Sequence, residues 1–129
     1  MARSKLTKAK EITEKTKEEV WNRQHGRSIS GVALTPYNVE FHHVISRGNE
    51  GIGLAYNIVA ITSEEHRWYH DHRNIKVNGR DRYTFEEFTT LMKNHLKIYY
   101  PKWTENGCKY HKGWTEEDYW KGIENADNK

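Results

Sequence analysis

Apolar and aromatic side chains return every three or four positions from Phe85 to Tyr99: Phe85, Phe88, Leu91, Met92, Leu96 and Tyr99, with His95 among them, fall on one side of a helix. Thr84-Phe-Glu-Glu87 has the form of a capping box at its start, and Pro101 stops it. Elsewhere the period shortens. Asn38-Val-Glu-Phe-His-His-Val-Ile-Ser46 alternates loosely and is rich in β-branched and aromatic residues, which predicts a strand; Asn57-Ile-Val-Ala-Ile-Thr62 predicts a second, mostly buried one. The three glycines of residues 47–55 make the connection a loop. Ser63 then opens a helix, with Glu64 and Glu65 at its positive end and His66, Arg67, Trp68, Tyr69 and His70 along it.

Weaker signals fill in the ends. Thr16-Lys-Glu-Glu19 reads as a capping box and Gly26 as a stop, predicting a short helix over about 17–25. Val20 and Trp21 would pack inward while Lys17, Arg23 and Arg27 stay in water. Asn78-Gly79 between Ile75 and Tyr83 predicts a hairpin. Trp114-Thr115-Glu-Glu-Asp118 starts a last helix before a polar end that frays.

With 129 residues the chain has room for a single domain: a basic helical arm (1–27), a core (28–72), and a hairpin with C-terminal helices (73–129). Only 35% of residues are apolar against 30% charged, and the mean hydropathy is −1.06, so the core is thin. Cys108 is the single cysteine, which excludes an intramolecular disulfide and leaves a metal or a partner as the added source of stability. No apolar run has the form of a signal peptide or a membrane span, which points to an intracellular, cytoplasmic protein without a membrane partner. The formal charge is +3, and residues 1–27 carry eight basic and four acidic side chains. Such ends either keep a small protein soluble or meet a polyanion. Five Trp and eight Tyr are many for so polar a chain; supplying core area is the plainer use, with base stacking or a docked partner as alternatives.

Five of the eight histidines (His42, His43, His66, His70, His72) lie between residues 42 and 72. His66 and His70 are four apart, about 40° around a helix and one turn up, so both project toward a common point where they can chelate one ion. His42 and His43, adjacent on a strand, face opposite sides of the pleat; one can ligate while the other does something else. His72, about 200° round from His70 on an ideal helix, is left out, and His25, His95 and His111 are read as structural or surface residues.

Glu40-Phe-His-His-Val-Ile-Ser-Arg-Gly48, Asn57-Ile-Val-Ala-Ile61 and Glu65-His-Arg-Trp-Tyr-His70 together resemble the HNH endonucleases, most of all their small phage and bacterial members. The likeness covers roughly residues 16–72. It implies an α+β fold with a ββα-metal (His-Me finger) core and flanking helices. It also implies that His43 is the general base, that His42, His66 and His70 hold one divalent ion, and that Asn57 is a catalytic-site residue that braces the loop between the strands and helps to orient the base. Many related proteins place a zinc knuckle beside the motif; here the corresponding segments read Arg27-Ser-Ile-Ser-Gly31 and Thr62-Ser-Glu-Glu65, without cysteines, so no knuckle is expected. Val32, Leu34 and Tyr37 packing onto the core is the expected substitute.

The implied activity is hydrolysis of DNA phosphodiesters to 5′-phosphate and 3′-hydroxyl ends. A neutral imidazole takes a proton from water, a help worth roughly 10²–10⁴-fold. The ion, Mg²⁺, Mn²⁺, Ni²⁺ or Zn²⁺, stabilises charge on the leaving oxygen, and an all-nitrogen donor set favours the later first-row ions by affinity. Arg47, Arg67, Arg73 and Lys76 are candidate phosphate contacts. Two other readings keep the metal: a nucleic-acid-binding module without turnover, and an accessory subunit of a phage packaging terminase. A homodimer is a further possible assembly.

Overall fold

The computed structural model describes residues 4–124, and the architecture is α+β, two separate antiparallel hairpins among helices. The described chain runs α1 (Lys5–Lys10), α2 (Glu14–Arg23), β1 (Val39–His43), β2 (Ile58–Thr62), α3 (Ser63–His70), β3 (Ile75–Val77), β4 (Arg80–Tyr83), α4 (Phe85–Tyr99) and α5 (Glu116–Glu124). Short 3₁₀ turns stand at Arg47–Asn49, Ala55–Asn57 and Asn106–Cys108. The polar end expected to fray after α5 falls largely outside the described residues. Among those described, no helix is long and apolar enough to cross a membrane.

Helix starts shift from the expected residues where a nearby hydroxyl caps better. Thr13 caps α2, accepting from the Thr16 amide, and Thr16 itself is buried. Thr62 caps α3 one residue ahead of Ser63, in a reciprocal capping box with Glu65. The Thr84–Glu87 box opens α4 as expected. In the β3–β4 turn Asn78 and Gly79 both take left-handed φ, 53° and 77°, as a tight two-residue hairpin turn requires.

β1 and β2 pair antiparallel with Glu40 opposite Ile61, His42 opposite Val59 and His43 opposite Ile58. β2 is buried at all five positions because both its faces are covered. Val59 and Ile61 join a core with Ile75, Phe88, Met92, Leu96 and Trp103. Ile58 and Ala60 join a second with Val20, Leu34 and Ala55. The free edge of β2 is sealed by the end of α2. Gln24 exchanges two hydrogen bonds with the Ala60 backbone, at 2.9 and 2.8 Å. Arg23, expected in water, instead donates to the carbonyls of Ala55 (2.9 Å) and Ile58 (2.6 Å), to the Tyr100 hydroxyl (3.1 Å) and to His95 Nε2 (3.1 Å). Backbone acceptors left over at a strand edge need a donor, and the long guanidinium reaches them.

The segment after α2 is anchored differently from the expectation. Leu34 is buried, but Tyr37 is 98% exposed and packs on nothing. The tie is polar: the Ser28 hydroxyl donates to the buried Glu65 carboxylate at 3.2 Å and accepts from the amides of Ser30 and Val32. This bond joins the two segments that lack knuckle cysteines.

Candidate metal and catalytic centre

The alternation of β1 divides its polar side chains between two environments. Glu40 and His42 share the face turned toward α3; Phe41 and His43 share the other. On the α3 side the His42 ring meets His66 edge to face, centroids 5.2 Å apart, and Tyr69 at 5.4 Å. Tyr69 is fixed in turn: the Thr89 hydroxyl donates to the Phe85 carbonyl, so the Tyr69 hydroxyl donates to Thr89 at 2.6 Å. His66 Nδ1 is hydrogen-bonded to the Glu40 carboxylate. An ionised carboxylate only accepts, so Nδ1 carries a proton, and in the neutral ring the lone pair belongs to Nε2. Burial, then the neighbouring His66 and His43, push the His42 pKa down to about 3, so this ring is neutral and able to donate to a cation.

On the opposite face His43 is buried, and its Nε2 lies 2.7 Å from the backbone carbonyl of Lys10. A carbonyl cannot donate; Nε2 therefore carries the hydrogen and Nδ1 is left as the basic nitrogen. Burial lowers the His43 pKa, the Lys10 carbonyl acts the other way, and the positive charges of Arg47 and Lys10 lower it further.

Asn57 is fully buried and spans the loop between the strands. Its Oδ1 accepts from the Ile45 amide at 2.8 Å, and its Nδ2 donates to the carbonyls of Ile45 (3.1 Å) and Ile52 (2.8 Å). The side chain thus ties Ile45, just before the glycine loop, and Ile52, within it, to the start of β2.

Two cavities, of about 600 and about 960 Å³, share His42, His43, Ser46, His66 and His70 as lining. The structure therefore brings His42, His43, His66 and His70 to one place. It does not converge three of them: His70's side chain is 82% exposed and its Nδ1 faces Asp71 at 3.3 Å. Among the described residues no three His, Cys, Asp or Glu side chains are arranged to hold a metal ion. The donor chemistry fits a cation at two imidazoles, with the third reaching it only after its side chain turns. His72, set aside on helical geometry, lines the smaller cavity and stacks on Phe85 at 3.9 Å. α3 ends at His70, and His72 takes a left-handed φ of 55° that redirects it.

Of the expected phosphate contacts, Arg47 lines the larger cavity, whereas Arg67, Arg73 and Lys76 are exposed and line neither. Lys93 and Lys109 line the smaller one instead. Glu40, Lys10, Lys93 and Lys109 escaped the sequence reading. Glu40 had a signal, being two residues from His42 on the same strand face; a backbone carbonyl 33 residues away had none. His95 is structural as expected, accepting from Arg23, and with burial and the Arg23 charge its pKa falls to about 4. No family model, curated protein or solved structure matches the chain.

Proposed function

We propose that the chain is a metal-dependent DNA endonuclease of the HNH kind, with residues 39–70 as its ββα-metal core and His43 as general base. The observation that carries this reading is the hydrogen bond from His43 Nε2 to the Lys10 carbonyl, which in the neutral imidazole leaves Nδ1 as the basic nitrogen of a ring that lines the same cavities as His42 and His66.

His43 Nδ1 accepts a proton from water as the water oxygen bonds to phosphorus and the bond to the 3′ oxygen breaks. The products are a 5′-phosphate and, after the leaving oxygen takes a proton from solvent, a 3′-hydroxyl. His42, His66 and, once its exposed side chain turns inward, His70 would hold a divalent ion, which when bound supplies positive charge to the phosphodiester. Arg47, Lys93 and Lys109 offer charge to the backbone of the substrate, and Asn57 keeps the loop that carries Arg47 at a set distance from the strands.

The test is plasmid cleavage with Mg²⁺, Mn²⁺, Ni²⁺ and Zn²⁺. Cutting by the wild type, lost in both His43→Ala and His66→Ala, with bound metal kept in the first and reduced in the second, supports the reading. His43→Ala as active as wild type ends the general-base assignment. The outward His70 favours, as a second reading, a nucleic-acid-binding module without turnover; DNA binding with no cleavage under any ion selects it.

A further inference from the structure

We propose that the N-terminal segment Ser4–Ile12 is a positioning arm for His43, seated on Gly53 and acting through the backbone carbonyl of Lys10. The inference rests on the reading of His43 as the base.

Three observations on the two sides of one contact carry it. Lys10 is the last residue of α1, so its carbonyl has no partner inside the helix and is free to accept from His43 Nε2 at 2.7 Å. One residue earlier, the Ala9 carbonyl accepts from the Gly53 amide at 2.9 Å. Gly53 itself leaves no space for a side chain: a Cβ there would lie 2.0 Å from the Glu11 carbonyl oxygen and 2.9 Å from that of Lys10. Its φ is not left-handed, so the close approach of the arm, rather than backbone conformation, requires glycine. The glycine loop between β1 and β2 is thus a flat seat for the backbone of residues 9–11. An arm lying on it presents one carbonyl to the imidazole.

The consequence for the chemistry is direct. With the carbonyl in place the ring has one tautomer and one orientation. With the arm lifted, both tautomers exchange and the ring turns, so only a fraction of molecules keeps a basic Nδ1 in place. None of the side chains of α1 is fully buried, and the arm meets the two cores only through the half-buried Ala9 and Ile12, so lifting it uncovers their edges rather than their centres. Lys10 sets the tautomer through its main chain; its side chain contributes only a positive charge, which lowers the His43 pKa without choosing between the ring nitrogens. Lys10 and Gly53 are positioning residues.

The experiment uses the full chain and three variants. Gly53→Ala pushes the arm off its seat. Ala9→Pro breaks α1 from within, independently of the loop, by removing a helical amide and crowding the preceding turn. Lys10→Ala keeps the carbonyl and serves as control. Imidazole ¹⁵N NMR reads the tautomer of His43, and oligonucleotide cleavage reads kcat and KM separately. Wild type and Lys10→Ala are expected to show a single Nε2–H form. Gly53→Ala and Ala9→Pro are expected to show averaged nitrogens, with kcat lower on the order of 10²-fold and KM unchanged, as loss of orientation alone predicts. An unaltered His43 spectrum in both displaced variants, or an equal loss in Lys10→Ala, overturns the proposal. Expected spectra in a wild type that cuts no DNA with any ion support the arm and overturn the nuclease reading.

Discussion

Glu40 on β1 and His66 on α3 share a hydrogen bond that places a proton on Nδ1, so that in the neutral ring Nε2 is the nitrogen able to donate a lone pair. Carboxylates that orient a ligating histidine are worth about 10–100-fold in metal affinity. Glu40→Gln is therefore expected to weaken Zn²⁺ binding by about that factor in isothermal titration. The cost to folding should be small, because the Glu40 side chain is 43% exposed. Affinity equal to wild type would remove Glu40 from the centre.

Asn57→Ala strands three backbone groups in the interior, the amide and carbonyl of Ile45 and the carbonyl of Ile52. Each unsatisfied buried group costs about 1–3 kcal/mol, so a loss of ~3 kcal/mol in urea unfolding is the expected result. A change under ~0.5 kcal/mol would mean that water replaces the side chain without penalty.

Ser28 and Glu65 join the segment after α2 to the start of α3. Ser28→Ala removes one donor and the acceptor shared by two amides, and about 1–2 kcal/mol of stability should go with it. Glu65→Ala should cost more, since it also removes the acceptor for the Thr62 amide in the capping box. Thermal unfolding of the two single variants and the double variant checks the coupling: a double variant equal to the sum of the singles would deny that the pair acts together.

Acid should loosen the α2–α4 junction. His95, accepting from Arg23, has its pKa depressed to about 4 in the folded protein, against the ordinary 6.5 in the unfolded chain. Between those values the unfolded chain binds the extra proton, so stability rises with pH across the window and is lost as pH falls from 6.5 toward about 4. Burial acts on His42 and His43 in the same direction. His95→Gln keeps an acceptor for Arg23 and cannot take the proton. It is expected to narrow the gap between the Tm at about pH 7 and at about pH 5, and an unchanged gap would place the acid sensitivity elsewhere.

Much of the scaffold was legible residue by residue. The runs around Val39–His43 and Ile58–Thr62, the Thr84 cap with Glu87 three positions on, the Asn78-Gly79 turn and the 85–99 periodicity each act over a few residues, and each forms its element. So does the splitting of His42 from His43, because the pleat alone assigns adjacent side chains to opposite faces. The same locality explains the misread details. Thr13 and Thr62 outcompete Thr16 and Ser63 as caps because the capping residue is set by where the chain first turns helical, a choice between near-equal hydroxyls.

What the amino-acid order determined by itself was the set of elements and the fact that imidazoles gather between residues 42 and 70. Only the tertiary structure decided which atoms they face. The partner of His43 is a main-chain oxygen, which every residue carries and no motif can advertise. The partners of Arg23 are the carbonyls of Ala55 and Ile58 at the entry to β2 and two side chains of the 85–100 region, which meet only once the chain has folded. His70 and His72 are both exposed on the rim of one cavity because α3 stops at His70 and the chain turns at His72, and side chains from α4 supply another part of its wall, beyond any spacing within the motif.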